Sequence, residues 1–255
     1  MLTIDRWIWS LLIACSLSPL PLWAAHPLIS DDTGTQGQGK FQLELTGERG
    51  HDDSAGTKTD AQTFATTLSY GFHDSADLIA SLPHQKTRVD DGTDVTSQSG
   101  RGDASLAIKW RFYEKSPISV ALKPGISSAT GDEQKGLGAG KNGYNLDLIT
   151  TMEMEPWTLH LHLGLARHRN TQDERENLRH LSAGGWHSFR EKWRLTFDIG
   201  TDTNADKSSN TNPSFAVVGV IYGLSKDLDL DAGIKKDISR TATDQTLLAG
   251  LAWRF

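Results

Sequence analysis

The chain has 255 residues and a mass of 28.0 kDa, with 26 Lys and Arg against 32 Asp and Glu and a mean hydropathy of −0.43. With 37% hydrophobic and 23% charged residues, it is neither a disordered polymer nor a bundle of membrane helices. A net charge of −6 without a Lys/Arg block argues against nucleic acid as a partner, and a single Cys excludes a disulfide framework or a thiolate metal site.

In chain order, residues 1–25 read as an export signal: Arg6, an apolar core from Trp7 to Ala14 continued by Leu17 to Trp23, then Ala24 and Ala25. Leu12-Ile13-Ala14-Cys15 also fits a lipoprotein cleavage pattern, but the apolar run continues past Cys15, which favours cleavage near Ala25. No other run approaches the ~20 apolar residues of a membrane helix. Any membrane crossing must therefore use strands. Residues 26–39 are polar and turn-rich, and are expected to form a periplasmic N-terminal segment or a plug ahead of a domain spanning 40–255. Their Asp32-Thr33-Gly34 looks like an aspartic-protease triplet, but that chemistry needs two carboxylates sharing a proton, and only one copy exists.

From residue 40 onward, side chains alternate. Ala104, Leu106, Ile108, Trp110 and Phe112 oppose Asp103, Ser105, Ala107, Lys109 and Arg111, and Trp157, Leu159, Leu161, Leu163 and Leu165 oppose Thr158, His160, His162, Gly164 and Ala166. A period of two over about ten residues is a strand with one apolar and one polar face. Strands are predicted over 40–49, 61–72, 76–84, 102–112, 118–127, 144–155, 157–168, 178–189, 193–201, 214–224, 228–235 and 246–255, twelve in all. Gly184-Gly185 suggests a bulge, and 214–224 is apolar on both faces. Links alternate between short (73–75, 113–117, 156, 190–192, 225–227) and long (50–60, 85–101, 128–143, 169–177, 202–213, 236–245). This is the pattern of an all-β, 12-stranded antiparallel transmembrane β-barrel, with short periplasmic turns and long outer loops.

Aromatic residues test that reading independently. Trp110, Trp157, Trp186, Trp193 and Trp253 all lie near short turns or the chain end, as do Tyr70, Phe72, Phe112, Tyr222 and Phe255. They predict an aromatic girdle at the periplasmic lipid boundary. Tyr70-Gly71-Phe72 with Asp77-Leu78 is echoed, at identical spacing, by Tyr222-Gly223-Leu224 with Asp229-Leu230. The close of the chain, with Trp253 and Phe255 two apart, resembles the signal read by the barrel-insertion machinery, although Leu248 stands where a polar residue is usual.

Lipid gives the backbone no hydrogen-bond partner, so spanning strands must close. Twelve strands imply a backbone radius of roughly 12 Å. The inward face is expected to carry Glu44, Asp77, Asp103, Lys109, Arg111, Lys123, Asp147, Glu153, His160, His162, Arg194, Asp198, Asp229, Asp231, Lys235 and Arg254, charges of both signs that either filter a solute or fill and stabilise the interior. The histidines His160, His162, His168, His180 and His187 show no spacing that demands zinc, so neither a metal nor another cofactor is expected. His187 and Ser188 are adjacent and face opposite sides of a strand, and no GxSxG elbow occurs, so no catalytic residue is assigned. Loop 131–144 is placed either folded inward as a constriction or across the mouth.

Several blocks resemble the outer-membrane proteins grouped under the MetA pathway of phenol degradation. They are His26-Pro27-Leu28, Asp31 to Gly37, Gly102-Asp103 before Lys109 to Phe112, Lys123-Pro124-Gly125, Thr130-Gly131-Asp132 before Lys135 to Gly138, Tyr222-Gly223, Asp229 to Gly233, Asp244 and the Gly250 to Phe255 tail. The resemblance implies a barrel in the outer membrane, in contact with its lipid, passing small and partly hydrophobic solutes. It brings no catalytic residues. A non-conducting structural barrel and a lipid-modifying enzyme are the alternatives.

Overall fold

A computed structural model describes residues 26–54, 56–239 and 243–255; the expected export signal lies outside them. Thirteen strands follow in chain order: β1 (Phe41–Ser54), β2 (Thr57–His73), β3 (Ala76–Asp90), β4 (Val95–Arg101), β5 (Ser105–Lys115), β6 (Ile118–Ser127), β7 (Gly143–Met154), β8 (Trp157–Arg167), β9 (Asn177–Arg190), β10 (Trp193–Asp202), β11 (Ser214–Gly223), β12 (Leu228–Asp237) and β13 (Gln245–Arg254). Every pairing is antiparallel, and β13 returns to β1, with Gln42 opposite Arg254 and His51 opposite Gln245. The wall is therefore closed through β1 to β3 and β5 to β13, while β4 has a strand partner on its β3 side only.

The thirteen strands make twelve staves. β4 and β5 share one neighbour: the upper part of β3, His84 to Asp90, pairs with β4, and its lower part, Ala76 to Ser81, pairs with β5. The stave breaks at 102–104, where Gly102 N donates to Pro83 O at 3.0 Å. Pro83 has no N–H to return, so an unbroken ladder is impossible there.

Two of the predicted long links, 50–60 and 85–101, are largely strand. β1 and β2 pair out to Ser54 opposite Thr57, and β3 and β4 pair from Asp90 opposite Val95. Their sequence lost its alternation because both faces of this part are polar or exposed, as in Thr57, Thr59, Gln62, Gln85 and Thr87, although pairing continues. The expected bulge moves as well. Gly184 and Gly185 pair in regular register, while Arg190 faces Trp193 and Ser188 faces Arg194, which leaves Phe189 as the extra residue. Gly184 is a matter of space: a Cβ there would lie 2.8 Å from the Asp198 carboxylate.

The outer face is apolar and exposed over most of its height, as in Leu106, Ile108, Leu161, Leu163, Leu165, Leu195 and Leu247. Alternate residues are buried within the barrel. Leu163→Arg should cost about 2–4 kcal/mol of barrel stability, read by urea unfolding in lipid vesicles, because the cation would meet hydrocarbon. An unchanged unfolding midpoint would remove Leu163 from the lipid face.

Candidate functional site: the lumen and the segment within it

The interior is occupied. Residues 26–40 precede β1 and cross the lumen, and most of the polar contacts they make outside the segment are with inward-facing strand residues. The segment joins β1 at the short-turn end, where Gly39 N donates to Gly71 O at 2.7 Å and Gly71 N to Lys40 O at 2.9 Å. Gly71 is required by this approach, since a Cβ there would sit 2.0 Å from Gly37 O. Gln38 N donates to Asp74, and Gln36 N lies 3.0 Å from both oxygens of Asp77. Thr33 bonds to Ser119 and Thr151.

Asp31 is the electrostatic centre of the segment. Its two carboxylate oxygens lie 2.7 Å from Lys109 Nζ and 2.6 Å from Lys123 Nζ, so one acid joins β5 to β6. Lys109 also donates to Asp32 O at 2.9 Å. Asp198, on the far wall, accepts Ile29 N at 2.7 Å, Ser30 N at 2.6 Å and Ser30 Oγ at 2.8 Å. The chain then reaches β12, where His26 Nδ1 pairs with Asp231. Ile29 packs on Phe215, Val217 and Leu248. This explains two sequence oddities. β11 is apolar on both faces because its inner face meets the segment, and Leu248 replaces a polar residue for the same reason.

Other predicted lumen residues pair among themselves. Asp229 lies 3.1 Å from Arg194 in an ion pair and accepts from Arg254 at 2.7 Å, and Arg254 Nε donates to Gln42 at 3.1 Å. His162 Nε2 lies 3.3 Å from Asp147, which Asn145 also contacts, and His160 Nδ1 lies 2.9 Å from Thr151 Oγ1. Arg111 reaches Glu114 at 3.2 Å. Glu44 and Lys235 are half-buried on the inner face, while Glu153 is exposed beside the short turn at Pro156. Asp103 stands in the broken stave and accepts Gly131 N and Ala139 N, both at 2.8 Å, so it anchors loop 128–142. That loop is clamped on its other side by Thr171 N to Ala139 O and by Gln172 to Gly138 O. Farther out, the ammonium of Lys207 bonds to Asp173 and holds that carboxyl below the usual range.

Of the expected girdle, Phe72, Trp110, Phe112, Trp157, Trp193, Trp253 and Phe255 are exposed on the outer wall. Tyr70 and Tyr222 are half-buried beside Phe41 and Trp193, with ring centroids 4.7 and 4.6 Å apart. Trp186 is a correction. It is buried inside, 4.7 Å from His160 and 5.7 Å from the Arg194 guanidinium, because it shares the inward parity of Ser182 and Gly184. The repeated motif has a structural counterpart: Gly71 faces Asp77, and Gly223 faces Asp229, in equivalent hairpins.

Sequence reasoning missed a chain of polar groups on β9 and β10. Ser182 Oγ lies 2.8 Å from His180 Nε2, and His180 Nδ1 lies 2.7 Å from Asp202. The signal was the i, i+2 spacing of His180 and Ser182, which puts both on one face. Ser182 is 1% exposed and covered by Ser30, whose Oγ lies 2.8 Å away. The seated segment therefore buries this hydroxyl. The arrangement serves as a brace for the segment. Among the described residues, no cluster of three His, Cys, Asp or Glu is placed to hold a metal.

Fold and lumen together define a class: a closed twelve-stave barrel of the outer-membrane type, with its own N-terminal segment threaded inside. The family described as "Putative MetA-pathway of phenol degradation" matches residues 25–255, and the chain belongs to it. No curated protein is matched in sequence. Among solved structures, an outer membrane channel from Pseudomonas putida F1 superposes with a TM-score of 0.70 at 14% identity, over 88% of this chain and 98% of that one. The NanC porin does so with a TM-score of 0.58 at 8% identity (83% and 98%), and the KdgM porin with 0.56 at 10% (84% and 99%). At these identities the likeness establishes the fold.

Proposed function

We propose that the protein is an outer-membrane channel for small solutes, aromatic or weakly polar ones included, in which residues 26–39 form the constriction. Asp31, seated between Lys109 and Lys123 with Asp198 holding the neighbouring backbone, is the observation that carries this reading. A polar lumen lined by charges of both signs filters by charge and width without covalent chemistry. Support also comes from the family's description and from neighbours named as a channel and porins. The export signal would deliver the chain to the periplasm. β13 and the Phe255 that follows it, with Trp253 and Phe255 outward, would present the insertion machinery with its signal.

Planar-bilayer recordings, with release of phenol-class and sugar-class solutes from liposomes, test the proposal. Small conductance steps and faster release of aromatic solutes are expected. Absence of both would favour the second reading, a closed structural barrel, whose support is the segment filling the middle of the lumen. An enzyme reading would require the Ser182 hydroxyl to be uncovered.

A further inference from the structure

The outer wall is asymmetric along the barrel axis. At the short-turn end its apolar band closes on indoles. At the opposite end, strand after strand passes from apolar residues to a cation on the same face. Leu43 and Leu45 lead to Arg49 on β1, Leu181 to Arg179 on β9, and Ile234 to Lys236 on β12. On β3, Leu78 and Leu82 are followed by His84, Lys86 and Arg88, and Arg101 of β4 stands opposite His84. All six cations are exposed, and no ion pair joins any of them to an acid among the described residues; Asp60 of β2, opposite Arg88, bonds to His51 instead. Arg167, near Arg179, is different: it pairs with Glu176 at 2.6 Å.

The short turns show no such excess. Glu114 neighbours Lys115, Glu191 lies between Arg190 and Lys192, and Lys226 neighbours Asp227. A chain of net charge −6 thus places six exposed cations at one lipid boundary, with exposed acids such as Asp91 and Asp94 farther out in the turn between β3 and β4. Cations just beyond an apolar band sit at the level of lipid headgroups, where phosphate is the complementary group. Arg adds a planar fork that fits phosphate oxygens. The densest part is the β3–β4 face. Lys86 is opposite Ser99, and Arg101 lies two residues farther along the same strand, within diagonal reach of Lys86.

We propose that this rim binds the phosphate groups of a phosphorylated glycolipid of the lipid A class in the leaflet facing the long loops, with Lys86, Arg88 and Arg101 forming its principal site. The site is on the outer wall, so it stands or falls separately from conduction through the lumen.

The test uses the folded barrel in phosphatidylcholine nanodiscs, titrated with lipid A and with chemically dephosphorylated lipid A, and read by native mass spectrometry. Folding is checked by the compact gel mobility that folded barrels lose on boiling. At about fivefold per cation, Lys86→Gln/Arg88→Gln/Arg101→Gln should weaken lipid A binding by roughly 100-fold. Dephosphorylated lipid A should bind the parent protein comparably weakly. Lys192→Gln/Lys226→Gln, at the opposite rim, should bind as the parent does. If the triple variant does not fold, Arg101→Gln alone carries the test with an expected loss of roughly fivefold. Unchanged binding by the folded variant, equal binding of both lipids, or an equal loss in the opposite-rim variant overturns the proposal.

Discussion

Asp31→Ala/Asp198→Ala should raise single-channel conductance by roughly tenfold, as the segment vacates a lumen whose wall has a backbone radius of about 12 Å, narrowed by the inward side chains. Asp198 receives three hydrogen bonds from Ile29 and Ser30, and Asp31 pairs with two lysines. Hydrogen bonds to a charged group contribute about 1.5–3 kcal/mol each. Losing this set removes more than ~5 kcal/mol from the seated state, enough to shift a two-state equilibrium by over three orders of magnitude. Lys109 and Lys123 would then face the lumen without their acid, so the wider channel should also prefer anions. Residues 26–36 should become sensitive to protease added from the short-turn side. A variant with parental conductance and a protected segment would show that these carboxylates do not hold the constriction.

Asp229→Ala should destabilise the barrel by about 3–5 kcal/mol in urea unfolding from lipid vesicles. Its carboxylate belongs to a residue 1% exposed and is shared by Arg194 and Arg254, and removing it leaves two guanidinium groups close together in a buried part of the lumen. The loss comes from the stranded charge more than from the pair itself, so Asp229→Ala/Arg194→Met should recover most of it. If the double variant proves no more stable than the single one, charge stranding is not the cause.

Much of the fold was legible because lipid imposes a simple rule on sequence. Where one side of a stave meets hydrocarbon, as in Leu106 to Phe112 or Trp157 to Leu165, the period of two is plain and boundaries fall within a few residues of those observed. Where both sides are polar, as at 50–60 and 85–101, the rule lapses and paired strand reads as loop. Trp186 shows a second limit. Proximity to a turn suggested the girdle, but parity with Ser182 and Gly184 sends the ring inward. Parity decides which solvent a side chain meets, while distance from a turn sets only its height.

The site was legible by half. Alternation placed Asp77, Lys109, Lys123, Asp198, Asp229 and Asp231 on the inner wall. It said nothing of their partners, because residues 26–40 are irregular and leave no period to read. The available hints were indirect: an inward apolar face on β11, an apolar Leu248 in a polar position, and paired acids Asp31-Asp32 ahead of a wall carrying Lys109 and Lys123. Each becomes intelligible once a chain segment is inside the barrel.

Neighbouring residues of one stave give the sharpest test, because Leu45 and Thr46 stand at one depth on opposite faces of β1. In a chain lacking Cys15, Thr46→Cys in planar bilayers should react with a charged, membrane-impermeant thiol reagent and lose conductance as it does, while Leu45→Cys should remain unreactive and conduct normally. Reaction at Leu45→Cys with Thr46→Cys protected, or modification of Thr46→Cys without any change in current, would contradict a water-filled route inside a lipid-facing wall.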